Sequence, residues 1–223
     1  MENQSKTTRA EGAYRLLKTE IRLNRMAPGL QLTEPELAQR FSVGRSTIRE
    51  ALIRLESEGL VELIPRKGMR VLPLRVEDMR EIYEMLMVLE PNIAGKLATK
   101  GLTDRELEPI EQAMHDMEVA LENQDLETWA GADDRFHMGL LSLHGNHRLS
   151  AVVAELSDQV HRARMITLRL RDMPTKSNAE HRKIVDCIRS QDVKGAISAF
   201  SQHRCRAADE LVSILEKSGI GQL

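Results

Sequence analysis

Residues 33–64 constrain the fold of this chain more than any other stretch. Thr33 is a good N-cap, Pro35 suits a first helical turn, and Glu36 stands three residues after Thr33, as a capping box requires. Leu37 and Ala38 then belong to a short helix, and Phe41-Ser42-Val43-Gly44 reads as a turn. From Arg45 onward, Ile48, Ala51, Leu52 and Leu55 recur at three- and four-residue spacing. That spacing predicts a second helix with one buried stripe. Arg45, Ser46, Thr47 and Arg49 crowd its first turn and a half. A helix that enters a DNA groove needs this arrangement, because its N-terminal residues reach phosphates and base edges while its far side packs on a small core. Arg can grip guanine through two hydrogen bonds, and Ser and Thr can bond to phosphate. An ordinary solvated amphipathic helix would look the same in isolation, so the flanking segments decide.

Upstream, Ala13-Tyr14-Arg15-Leu16-Leu17-Lys18-Thr19-Glu20-Ile21 reads as an amphipathic helix that stops before the turn signal Ala27-Pro28-Gly29. Downstream, Leu60 to Ile64 reads as a strand, Pro65-Arg66-Lys67-Gly68 as a basic turn, and Met69 to Leu72 as a return strand. Helix, helix, turn, helix and basic hairpin make a winged helix-turn-helix over residues 11–73, preceded by a polar, frayed arm at 1–10. Charge agrees. Residues 1–75 hold 14 Lys or Arg against 9 Asp or Glu, a net of +5, whereas the remainder holds 18 against 25, a net of −7. A basic head on an acidic body points one end of the chain at a polyanion.

Residues 13–73 closely resemble the DNA-binding domain of GntR-type bacterial transcription regulators. The resemblance is carried by Pro28-Gly29, Leu32, Glu36-Leu37-Ala38, Val43, Arg45, Arg49-Glu50-Ala51-Leu52, Leu55, Gly59-Leu60-Val61 and Gly68. Two positions depart from it. Gly44 stands where the family usually has Ser, which removes a phosphate-bonding hydroxyl, and Pro35 stands where many relatives carry a polar or basic residue. The resemblance implies DNA contacts from Arg45, Ser46, Thr47 and Arg49, with Arg66, Lys67 and Gly68 placing the wing in the minor groove or on the backbone.

After Pro73 the pattern becomes wholly helical. Helices are expected near 76–100, 103–123, 125–144, 147–170, 175–190 and 192–217, punctuated by Gly101, Asn123-Gln124, Gly145-Asn146, Pro174 and Gln191-Asp192. The expected fold is therefore mainly α, a winged helix-turn-helix followed by an all-α bundle of about six helices over 76–217. The pair of modules is similar to the FadR-like branch of the family, whose C-terminal module is the FCD domain. Its local signatures here are Leu89-Glu90, Asp133-x-x-Phe136-His137, Gly145-Asn146, Glu180-His181 and His203. Cys187 and Cys205 lack metal-type spacing and read as reduced thiols. Without a secretory signal or an apolar run near 18 residues, the chain is expected to be soluble and cytoplasmic, with no membrane partner.

Four residues carry the chemistry of the bundle. Asp133 and His137 are four apart, hence on one helix face, which also carries Trp129, Leu140 and Leu141. His181 shares its face with Ile184, Val185 and Ile188, and His203 shares its face with Ala196, Ala199, Phe200 and Ala207. Three imidazoles and a carboxylate thus point into an apolar interior from three helices, where each needs a partner. One divalent cation per chain would satisfy all four. The donor set suits zinc first, or nickel, manganese or iron, better than calcium. Each residue could instead be hydrogen-bonded singly in the core. Asp134 is an alternative ligand three residues before His137, although the motif favours Asp133. His144 reads as a helix-end residue, and His115, His147 and His161 as exposed. The Met residues read as core filler.

Relatives with this bundle commonly bind a small carboxylate at the metal, and that ligand changes DNA affinity. Leu86 stands where many relatives carry an Arg that contacts an acidic effector. This either argues against a standard hydroxy-acid or sugar-acid ligand or shifts the anion contact to Arg164, which lies beside the inward stripe of Leu149, Val153, Leu156 and Val160; a surface or interhelical salt bridge is the other role open to Arg164. The chain is thus expected to be a homodimeric, metal-containing repressor that binds an inverted-repeat operator in double-stranded DNA and responds to a carboxylate effector. The alternatives are a regulator whose metal is purely structural, with no effector, and a metal-dependent hydrolase. A metal held by three histidines can activate water, but the aspartate closes the coordination further and no separate acid or base stands ready.

Overall fold

The structure is a computed structural model that describes residues 9–219. It divides into two compact units at the Leu74–Arg75 boundary. The first unit begins with α1 (Arg9–Arg22), so Arg9 and Ala10 are helical rather than part of an arm; the rest of the expected arm, residues 1–8, lies outside the described residues. A short β1 (Gln31–Leu32), which no sequence signal announced, leads into α2 (Glu34–Arg40) and α3 (Arg45–Ser57). The wing follows as β2 (Val61–Ile64) and β3 (Gly68–Val71). The sheet is antiparallel in the order β1-β3-β2, with Gln31 opposite Arg70 and Leu63 opposite Met69.

The local physics is the one the residues dictate. The Thr33 hydroxyl accepts from the Glu36 N–H, and the Glu36 carboxylate accepts from the Thr33 N–H at 2.7 Å, which closes the capping box of α2. Ile48, Ala51, Leu52 and Leu55 of α3 are fully buried against Leu17 and Ile21 of α1, with Leu37, Met69 and Val71. Burying each large aliphatic contributes about 1.5–3 kcal/mol. Lys67 N–H donates to Ile64 C=O at 3.0 Å, which closes the wing turn with Pro65 second and Arg66 third. Arg66 has φ +64°, the left-handed conformation that a type II turn demands there. Gly68 has φ +87°, and a Cβ on it would stand 2.2 Å from the Leu32 carbonyl oxygen, so only glycine lets the wing close on β1.

The second unit is α4 (Val76–Lys100), α5 (Asp104–Glu122), α6 (Leu126–His144), α7 (His147–Ile166), α8 (Thr175–Arg189) and α9 (Val193–Ser218). The expected helix 147–170 is shorter than its pattern implied. It stops at Thr167, whose side chain turns back to the Ala163 carbonyl, and a separate 3-10 turn covers Leu168–Leu170. α4 packs chiefly on α9, α5 on α6, and α8 on α9. Gly145, at φ +77°, ends α6, and the Asn146 side chain caps α7.

Candidate metal centre and nucleic-acid interface

In the first unit, the N-terminal half of α3 presents Arg45, Ser46 and Arg49 as exposed side chains and Thr47 as half-buried. Arg66 and Lys67 are exposed at the wing tip, with Gly68 half-buried behind them. A cleft of about 500 Å³ brings Arg49 together with Arg66 and Gly68, and Thr33, Glu34 and Ile64 also line it. Arg45, Ser46, Thr47 and Lys67 lie outside that cleft. The N-cap of α3 is Gly44, which offers no side-chain cap.

In the second unit, α6 supplies Asp133 and His137, α8 supplies His181 and α9 supplies His203, all buried. Nitrogens of the three histidines lie within 4.8 Å of one another. The Nε2 atoms of His181 and His203 face each other at 3.3 Å. Asp133 stands beside the three rings, with Oδ1 at 3.6 Å from His181 Nε2 and Oδ2 at 3.8 Å from His137 Nε2. Phe136, between the two α6 donors, stacks on His181 with ring centroids 4.2 Å apart. The Trp129 indole N–H donates to Asn178 at 2.8 Å and ties α6 to α8.

Around these groups lies a second layer of charge. The Nδ1–H of His203 donates to Glu180 at 2.8 Å, and Arg206 holds Glu180 in turn at 2.5 and 2.6 Å. Arg204 grips Glu90 with two hydrogen bonds and points Nη2 at His137 Nδ1, 3.1 Å away. Arg164 donates to Asp133 Oδ2. A small cavity of about 10 Å³, lined by Asp133, Asp134, His137, Ser157, His161 and Arg164 among others, adjoins the rings. That is room for about one water.

The electrostatics follow from burial. Burial pushes the His137 and His181 imidazoles well below their ordinary range, so both are neutral, and it lowers His203 despite the opposing Glu180 carboxylate. Burial raises the Asp133 carboxyl, but the Arg164 guanidinium, with Arg204 beyond it, outweighs this and holds Asp133 ionised. Glu180 is held at about 2, because its bonds to His203 and Arg206 outweigh its own burial.

A divalent cation fits this donor set. Asp133 Oδ1 and His137 Nε2 are buried without a hydrogen-bond partner, and neutral imidazoles beside an ionised carboxylate are the donor types a divalent cation takes. His203 already has the outer carboxylate that orients metal-bound histidines. Asp133 reaches two of the rings, whereas the tight group consists of the three histidines alone.

The structure departs from the sequence reading at His161 and agrees with it at His144 and the two cysteines. His161 is buried rather than exposed, 3.9 Å from Asp134, because it continues the inward band of Ser157, Val160 and Arg164 on α7. Arg164 is buried and makes an interhelical salt bridge to Asp133. His144 sits in the last turn of α6. Cys187 and Cys205 are free thiols. Arg204 belongs to none of the sequence motifs, and Glu90 and Glu180 enter them only as neighbours of Leu89 and His181. Arg204 had a signal: it falls on the stripe of Phe200, Ala207 and Leu211, so a cation there had to turn inward.

The arrangement is a winged helix-turn-helix unit followed by an all-helical unit. Residues 9–71 match the bacterial regulatory proteins of the gntR family, and residues 81–204 match the FCD domain. The chain is 32% identical over 219 residues to an HTH-type transcriptional regulator from an unstable DNA locus of Streptomyces ambofaciens, covering 93% of this chain and 86% of that one. It is 25% identical over 205 residues to the HTH-type transcriptional repressor RspR of Escherichia coli K12, covering 92% and 90%. In fold it is similar to E. coli McbR/YncC, with a TM-score of 0.82 at 17% identity over 92% of this chain and 98% of that one. The chain belongs to the GntR family and carries an FCD domain, and it is a DNA-binding transcriptional regulator rather than an enzyme. Among the described residues no helix is long and apolar enough to cross a membrane.

Proposed function

We propose that this regulator is a homodimeric repressor whose grip on an inverted-repeat operator is controlled by a small carboxylate bound at a divalent metal. The observation that carries the proposal is the group of three buried, neutral histidines beside an ionised aspartate. His137, His181, His203 and Asp133 would hold the metal, with zinc the best match. When bound, the metal supplies a positive centre for an anion. Arg164, which pairs with Asp133, would meet the effector carboxylate once the metal takes over Asp133. Arg45, Ser46, Thr47 and Arg49 read the groove, while Arg66, Lys67 and Gly68 set the wing on the duplex. Two-fold operators mirror two-fold proteins, and one winged domain buries too little DNA for selectivity alone. The repressor reading is supported by RspR, a repressor at 25% identity.

The test is selection of operator sequences from random duplex DNA, followed by titration of one selected site at fixed salt. Metal-free protein, zinc-loaded protein and zinc-loaded protein with two- to six-carbon mono- and dicarboxylates are compared. An inverted repeat should emerge, light scattering should give a mass twice 25.3 kDa, and at least one carboxylate should shift operator affinity about tenfold or more, within the usual range of allosteric coupling. Affinity that responds to no carboxylate favours the second reading, a regulator whose metal only ties the bundle together.

A further inference from the structure

The three imidazoles are prepared for a metal to different degrees. His203 donates its Nδ1–H to Glu180, so its Nε2 carries a free lone pair. Facing that lone pair, His181 Nε2 acts as the donor across the 3.3 Å contact, while its Nδ1 meets no partner and can take the proton over. His137 is opposed. Its Nδ1 lies 3.1 Å from Arg204 Nη2, and a guanidinium only donates. Nδ1 is therefore the acceptor, and the proton of the neutral ring sits on Nε2. That is the nitrogen turned to Asp133, and a cation shared with Asp133 needs its lone pair.

To ligate through Nε2, the ring must lose the proton there and take one up on Nδ1, remaining neutral. The new Nδ1–H would then point at another donor. An acceptor is within reach, since Glu90 Oε1 lies 3.8 Å from Nδ1, but both Glu90 oxygens are engaged by Arg204. A buried ion pair adds little net stability, because desolvation offsets the attraction. This one aims its spare donor at a candidate ligand.

Resting on the metal reading above, we infer that Arg204 and Glu90 are opposed positioning residues for the metal. Arg204 latches His137 in the tautomer that cannot ligate. Glu90 orients the ligating tautomer once it exchanges Arg204 for the His137 Nδ1–H. The pair sets the affinity of the site, and loading moves the Arg204 side chain of α9 away from His137.

The experiment titrates the full chain with Zn²⁺ against a chromophoric chelator and follows the histidine ring nitrogens by ¹⁵N NMR. Metal-free wild type should show His137 protonated on Nε2, and zinc saturation should move that proton to Nδ1. Glu90→Gln should weaken zinc binding about 10–100-fold, as loss of an outer carboxylate does. Arg204→Met should strengthen it, an opposite sign that damage to the core would not produce. Should Arg204→Met fail to fold with Glu90 stranded, Glu90→Leu combined with Arg204→Met buries no charge. That double variant should bind zinc more tightly than Glu90→Gln, which keeps the opposing donor. The inference is overturned if both single variants weaken binding alike, if the double variant binds no better than Glu90→Gln, or if metal-free His137 already carries its proton on Nδ1. Wild type that takes up no zinc would instead sink the metal reading itself, and this inference with it.

Discussion

The two units of this chain solve opposite problems with their charged residues. In the winged unit every buried side chain named in the core is aliphatic, methionine or tyrosine, and the cations of α3 and the wing stand in solvent. In the helical unit Glu90, Asp133, His137, His161, Arg162, Arg164, His181, His203 and Arg204 are all buried. Burying charge is costly unless each group is paired. The winged unit therefore keeps its chemistry on the surface, where a polyanion can reach it. The helical unit keeps its chemistry inside, where only something small can. On the function proposed above, one half binds a large partner and the other a small one.

The largest effect should come from breaking a charge pair inside the helical unit. Arg164→Met leaves Asp133 buried without its cation, and stranding one partner of a buried pair costs about 3–5 kcal/mol. Urea unfolding of metal-free protein should show that loss, and zinc should restore part of it by taking over the carboxylate. A loss below about 1 kcal/mol would mean that Asp133 does not depend on Arg164.

Acid should separate the two units next. His137, His181 and His203 titrate below their unfolded values because burial disfavours the imidazolium. As pH falls through about 6.5, the unfolded state takes up protons that the folded state refuses. Stability is thus intact above that pH and lost below it, by up to about 1.4 kcal/mol per unit for each histidine. The winged unit, which contains no histidine, should not share this loss. A helical unit equally stable at pH 7 and pH 5 would contradict the burial of neutral imidazoles.

At the surface the effects are smaller and fall on binding. Arg49→Ala should weaken operator affinity by about 1–3 kcal/mol with no change in melting temperature, since its side chain is exposed. Lys67→Ala should weaken all duplexes evenly and flatten the salt slope by about one unit. An unchanged slope would take the wing tip off the DNA. Smallest of all, Gly44→Ser should add a few tenths of a kcal/mol by capping α3. The nearest atom to a Cβ at Gly44 is Thr47 Oγ1 at 3.9 Å, so nothing there obstructs a serine.

The same contrast explains what the sequence could reveal. Surface chemistry on a helix with an aliphatic stripe is legible, because Ile48, Ala51, Leu52 and Leu55 fix the face and Arg45 and Arg49 must take the other. The capping box at Thr33 and Glu36 is local and equally readable. Buried chemistry is legible only where polar residues fall on an apolar stripe, as His137, His181 and His203 do. Pairings across helices carry no local signal. The Glu90–Arg204 pair joins residues 114 positions apart, and Asp133–Arg164 joins two helices whose register periodicity alone does not set. His161 reads as exposed because it is polar, yet α7 buries Ser157, His161, Arg162 and Arg164 alongside Val153, Val160 and Ala163. Two-residue β1 was invisible because its pairing with β3 is set by the wing and not by its own two residues.

The central claim is that the helical unit is organised around a metal. Elemental analysis of the full chain, purified without chelator and replenished with zinc, tests it most directly, with His181→Ala measured alongside. One divalent ion per chain in the wild type, and well under one in the variant while the winged unit still binds DNA, is the predicted result. Wild-type protein with no stoichiometric metal would contradict it and reduce Asp133, His137, His181 and His203 to a buried hydrogen-bond network.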